Sequence, residues 1–145
     1  MVSGRGRSLG DLPPDALQIL DTARRGVLAT TDEDGMPHAV PVAFAVVDGR
    51  IFSPIDDKPK SGRELARVKY VRSRGKAAFL VDRWSEDWLQ LGWVMVRGNA
   101  VIEESRSVTQ SFLDRYPQYQ ELSLSPGKRA IALTPTTVSW WLWSS

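Results

Sequence analysis

The dipeptide Asp48-Gly49 constrains this chain more than any other feature. It sits between two runs rich in β-branched and aromatic residues, His38–Val47 and Arg50–Ile55. Two strands joined by two such residues fold back on each other, because aspartate and glycine accept the positive φ of the tight hairpin turn. The pairing there is antiparallel, and the same logic extends along the chain. Val27–Thr30 reads as a strand followed by a turn at Asp32-Glu33-Asp34-Gly35. Ala77–Val81 reads as a short buried strand, and Leu89–Ile102 as a long one with Gly92 and Gly98 marking bends or bulges. Arg129–Thr134 and Thr137–Trp143 read as two last strands across a turn at Pro135.

Three helices interrupt the strands. Asp11-Leu12-Pro13-Pro14 opens the first, with Asp11 as its cap and Leu12, Ala16, Ile19, Leu20 and Ala23 at helical spacing up to Gly26. The second spans Lys60–Ser73, with Leu65, Val68 and Val71 or Tyr70 on its apolar face; the third spans Ser105–Tyr116 and stops at Pro117. Six or seven strands joined mostly by hairpins predict a mainly β fold over residues 1–145, one domain. An antiparallel barrel with helices over its openings fits better than a doubly wound sheet.

Composition removes several chemistries. With no cysteine there is no disulfide, thiolate metal site or cysteine nucleophile, and one histidine, His38, cannot form a histidine metal cluster within one chain. The longest apolar run, Ala39–Val47, is about half the roughly 20 residues of a membrane helix. Basic residues near the N-terminus are not followed by an apolar stretch, so a cytoplasmic protein without membrane association is expected.

The net charge of +2 hides one basic segment. Between Asp56 and Lys76, eight basic residues face three acids, a local +5 that leaves the remainder at −3. Its start, Asp57-Lys58-Pro59-Lys60-Ser61-Gly62-Arg63, follows a strand and leads into a helix. Ammonium groups, a hydroxyl and free N–H groups in that setting suit a phosphate, though a solvated basic turn has the same composition. The GxxxxGK[ST] loop of nucleotide hydrolases is absent. Only Tyr70 interleaves with these cations, so nucleic acid is not an expected partner.

His38 reads as a polar strand residue or a general base, with no elbow motif or carboxylate to support the second role. Asp82-Arg83-Trp84-Ser85-Glu86-Asp87-Trp88 is an acidic, aromatic loop whose Trp84 and Trp88 serve packing or stacking on a flat ring. All six tryptophans lie in the second half of the chain, and Trp140-Trp141-Leu142-Trp143 cannot all face one core, because strand side chains alternate. If Trp141 faces the barrel, its neighbours are left for a partner surface or a ligand. No residue stands out as a nucleophile or proton donor, so an enzyme built on this chain would leave the hard chemistry to a cofactor.

The order of these markers resembles the pyridoxamine-phosphate-oxidase-like, flavin-binding split barrels. Within them it is similar to the branch of deazaflavin (coenzyme F420)-dependent oxidoreductases. The residues that carry the resemblance are Gly26–Thr30, Gly35-Met36-Pro37-His38, Pro41-Val42-Ala43-Phe44 and Asp57-Lys58-Pro59-Lys60. They continue with Ala77–Asp82, Glu86-Asp87-Trp88 and Ile131–Pro135. The resemblance implies a homodimer of six-stranded split barrels with F420 or FMN in the seam and a small-molecule substrate. It assigns Lys58, Lys60, Ser61 and Arg63 to the cofactor phosphate, and Pro41, Val42, Ser53 and Ile55 to strands lying against the ring, partly through backbone. Trp88 would join the aromatic wall. The alternative it leaves open is a flavin- or haem-binding protein without turnover. The terminal arginine and histidine that grip substrate in pyridoxamine phosphate oxidases proper are replaced by Trp140–Ser145, which disfavours vitamin B6 oxidation.

Overall fold

The computed structural model describes residues 1–55 and 64–144. Eight strands carry the fold: β1 (Val2–Gly6), β2 (Gly26–Thr31), β3 (Pro37–Val42), β4 (Ala45–Val47), β5 (Arg50–Ile55), β6 (Lys76–Arg83), β7 (Gly92–Glu104) and β8 (Arg129–Leu142). Helices α1 (Pro14–Thr22), α2 (Ala66–Arg74), α3 (Arg106–Arg115) and the short α4 (Gln118–Glu121) connect them. Every pairing is antiparallel, in the order β3-β2-β6-β7-β8-β5-β4, with β1 added along β8. The two ends of this path, β3 and β4, are separated by only Ala43 and Phe44, so the sheet closes on itself as a barrel.

Leu28, Phe79, Val81, Val94, Val96, Ala100, Ile131, Leu133 and Val138 fill the barrel. Helix α1 seals one opening with Ala16, Ile19 and Leu20, and α2 seals the other with Val68 and Val71. Helix α3 lies outside, burying Val108 and Phe112 against Ala45, Phe52, Ala130 and Ala132. Residues 51–55 of β5 are therefore covered on both faces and are buried without a break, Ser53 included.

The structure corrects several expectations. Among the described residues eight strands stand where six or seven were expected, first because Val2–Gly6 pairs with Val138–Leu142. That pairing rests on Gly4, whose Cα lies under the Trp140 ring so closely that a Cβ would fall 2.4 Å from it. Second, His38–Val47 is two strands with a crossing at Ala43-Phe44. In the other direction, Arg129–Leu142 is one strand without a turn at Pro135: the register with β7 shifts between Arg97 and Gly98, and the bulge absorbs the extra residue. Asp11 closes a 3₁₀ turn, and Pro13 occupies the N-cap of α1. Finally, Trp140 faces the barrel core, while Trp141 lies on the other face.

Candidate functional site

The chain from Pro37 to Val47 has a neighbour on each side, but at different heights. Its first half pairs with β2, Pro37–Val42 against Thr31–Gly26. Its last three residues pair with β5, Ala45–Val47 against Phe52–Arg50. Carried on, the β4–β5 register would set Phe44, Ala43 and Val42 opposite Ser53, Pro54 and Ile55, yet pairing stops at Ala45 and Phe52. One edge of Pro37–Val42 and the facing edge of Ser53–Ile55 have no strand partner among the described residues. The barrel is split there. Prolines 37, 41 and 54 all lie along these unpaired stretches, where a missing N–H costs no ladder bond.

Tyr116, at the end of α3, fixes the crossing. Its hydroxyl accepts from the Phe44 N–H at 2.9 Å and lies 3.0 Å from the Phe44 carbonyl and 3.1 Å from that of Arg24. The β2–β3 register extended two residues would place Phe44 opposite Arg24. The phenol thus stands where the ladder would have continued. Arg115 reinforces it by donating to the carbonyls of Asp21 and Ala23, with its guanidinium 4.7 Å from the Phe44 ring centroid.

The outer face of the sheet is the second feature. Register places Pro41, Val27, Leu80, Met95 and Ser139 in one row across five strands. Ala39, Ala29, Ala78, Arg97 and Thr137 form the next row. Leu80 remains 41% exposed and Val27 38%, in one apolar patch of the kind that marks binding surfaces. Beyond the first row come Asp82, Trp93 and Trp141. Trp141 meets Trp143 edge-on at 6.0 Å, and Trp143 meets Trp88 at 6.2 Å. The loop carrying Trp88 is held by Asp87, which accepts from the Leu89 N–H, and by Ser144, which donates to the Leu89 carbonyl. Trp84 and Trp88 keep 65% and 54% of their surfaces exposed.

The residues singled out in the sequence fall into three groups. Pro41 and Trp88 are exposed, on the outer face and in the aromatic loop. Val42, Ser53 and Ile55 are buried, so what they present at the split is main chain. Ser53 is only 3% exposed, and its hydroxyl has no partner among the described residues. Lys58, Lys60, Ser61 and Arg63 lie outside the described residues. His38 is on the interior face opposite Thr30, its ring edge-on to Tyr70 at 5.4 Å. Sequence reasoning missed Tyr116. A tyrosine at a helix end before a proline carries no local sign of what its hydroxyl will meet.

The family model described as pyridoxamine 5'-phosphate oxidase matches residues 12–142. The chain belongs to this family. Membership agrees with the mainly β, antiparallel, helix-capped architecture seen here. No curated protein matches the sequence. Solved structures show the same fold at low identity. The conserved hypothetical protein Rv2991 of Mycobacterium tuberculosis superposes with a TM-score of 0.70 at 22% identity, over 91% of this chain and 86% of that one. A haem-binding protein of Mycobacterium smegmatis gives 0.67 at 19%, over 90% of this chain and 55% of that one. An FAD-binding protein of the same organism gives 0.59 at 19%, over 90% and 96%. Among the described residues, no helix of this family member is long and apolar enough to cross a membrane.

Proposed function

We propose that this chain is a flavin-type oxidoreductase that transfers a hydride between coenzyme F420, or FMN, and a small organic substrate. The observation that carries the reading is the split itself: two unpaired strand edges, Pro37–Val42 and Ser53–Ile55, beside an exposed apolar face. A flavin-type ring fits these features, since it has apolar faces and a polar rim of hydrogen-bonding atoms. Free backbone groups along the two edges suit the rim, and Pro41 suits a face. Lys58 and Lys60, next along the chain after β5, would hold the phosphate, with Ser61 and Arg63 beside them. The bound ring supplies two-electron chemistry. The chain's own part is to orient the ring and substrate against an apolar wall and to keep water out.

A second copy of the chain would complete the site. The patch around Val27, Leu80 and Met95 needs a cover, and in a homodimer the partner's Trp84 and Trp88 would reach across it. The haem-binding alternative has less support, because the only histidine is on the interior face against Tyr70.

The test is tryptophan-fluorescence titration with FMN and, separately, F420, on the native protein and on Lys58→Glu/Lys60→Glu, each checked by sedimentation. Quenching by one cofactor, at least tenfold weaker in the charge-reversed dimer, is the expected result. Silence from both cofactors removes the reading. Equal affinity in the variant leaves a cofactor site but moves the phosphate elsewhere.

A further inference from the structure

At the β7–β8 bulge, on the side of the barrel sealed by α2, lies an open cleft of about 260 Å³ lined by Lys76, Ala77, Arg97, Gly98, Thr136 and Thr137. We propose that this cleft is an anion site, taking a single carboxylate or phosphate group. Among the described residues, two cations and two hydroxyls line it, and no carboxylate does.

The cleft is built by the backbone. Arg97 pairs with Thr137, but the next residue of β7, Gly98, pairs with Pro135, so Thr136 is the extra residue. Its hydroxyl donates to the Arg97 carbonyl at 3.2 Å, locking the bulge. Gly98 must be glycine, because a Cβ there would fall 1.9 Å from the Thr134 carbonyl oxygen. Bulges of this kind turn the flanking side chains out of the regular pleat, here those of Arg97 and Thr137. Lys76 is steadied beside them, its ammonium donating to Asn99 Oδ1 at 2.6 Å with two further donors left over. Among the described residues Arg97 and Thr137 make no side-chain hydrogen bond or ion pair with a neighbouring side chain. The guanidinium fork and the ammonium therefore retain unspent donors toward the same opening, the combination that binds an oxyanion in two or more charge-assisted bonds.

The cleft also has an approach. The row Ala39, Ala29, Ala78, Arg97 crosses four strands with nothing larger than a methyl group before the arginine. Three strand spacings make this lane about 14 Å long. A ligand lying on it from the β3 edge would bring an acidic end to Arg97. The anion site does not depend on the identity of any cofactor, and its test uses anions alone.

The experiment is a titration of the ¹⁵N-labelled protein with inorganic phosphate and, in parallel, citrate at constant ionic strength, following the amide signals of Ala77, Gly98 and Thr137. Saturable shifts with a dissociation constant of roughly millimolar are expected, as two exposed charge-assisted bonds would give. Arg97→Glu, at an exposed position, is expected to weaken binding at least tenfold, and Lys76→Glu provides the same reading from the other cation. Response to only one of the anions names the group. No saturable shift with either, or shifts unchanged in both charge-reversed proteins, would overturn the proposal.

Discussion

Replacing Tyr116 with phenylalanine keeps the ring, its edge-on contact with Tyr119 and its place under Arg24, and removes one oxygen. That oxygen accepts from the N–H of Phe44, a fully buried residue, and shares its proton between the carbonyls of Phe44 and Arg24. Leaving the buried N–H without an acceptor costs about 1–3 kcal/mol, and losing the donated bond adds about 1 kcal/mol. The expected loss is therefore about 2–4 kcal/mol, or a fall of roughly 5–15 °C in Tm for a chain of this size. Urea unfolding at fixed protein concentration measures it as a lower midpoint with an unchanged slope, since the surface exposed on unfolding is the same. A second readout locates the effect: amide exchange should accelerate at Ala43–Ala45 while the β6–β7 ladder keeps its protection. A loss below about 0.5 kcal/mol, the size of an ordinary surface substitution, would refute the reasoning. It would mean that the crossing is held by packing, and that Phe44 finds water or a strand partner when the phenol is gone.

Two glycines separate close approach from conformation. Gly98→Ala drives a Cβ into the Thr134 carbonyl and is expected to cost about 3 kcal/mol or more. Gly49→Ala has open space around it and costs only about 1–2 kcal/mol for its left-handed φ of 74°. Chemical unfolding of the two variants should preserve that order; the reverse would remove the bulge from the account. At the N-terminus, Asp11 accepts from the N–H groups of Arg7 at 2.8 Å and Ser8 at 3.1 Å, and these bonds hold its carboxyl below the ordinary carboxylate value. A lowered folded value means that its contribution is present above about pH 4 and is lost as pH falls through the folded value. Amide protection of Ser3–Gly6 should therefore weaken on acidification below about pH 4, and Asp11→Asn should flatten that dependence. Equal protection at pH 3 in the native protein would show that β1 is held by its ladder alone.

The antiparallel, helix-capped barrel was legible because its signals are local. Asp48-Gly49 sets its turn whatever surrounds it, and the periods of Ala16–Leu20 and Val68–Val71 name the faces that seal the two ends. The boundaries at Pro135 and Ala43 were not legible. A proline between apolar runs marks a turn or a bulge equally well, and only the facing residue, Gly98 against Thr134, decides which. Likewise, alternation says that Trp140 and Trp141 oppose each other, but the choice of face came from Gly4, far away in sequence and small enough to admit an indole. The site divides in the same way. Pro41 and Trp88 are exposed, whereas the side chains of Ser53 and Ile55 are buried, so those two positions can offer only main chain, and sequence alternation alone does not separate the two cases.

By itself, then, the sequence determined the hairpins and helix faces set by local signals, which chemistries are excluded, and the family. Turn geometry, side-chain period and composition are properties of residues within a few positions of one another. Tertiary structure alone decided where the barrel splits, how Tyr116 props it, and that the Arg97–Gly98 bulge opens a basic cleft. Each of these depends on which groups meet across long sequence separations, and a hydrogen bond or a clash exists only once both partners are in place.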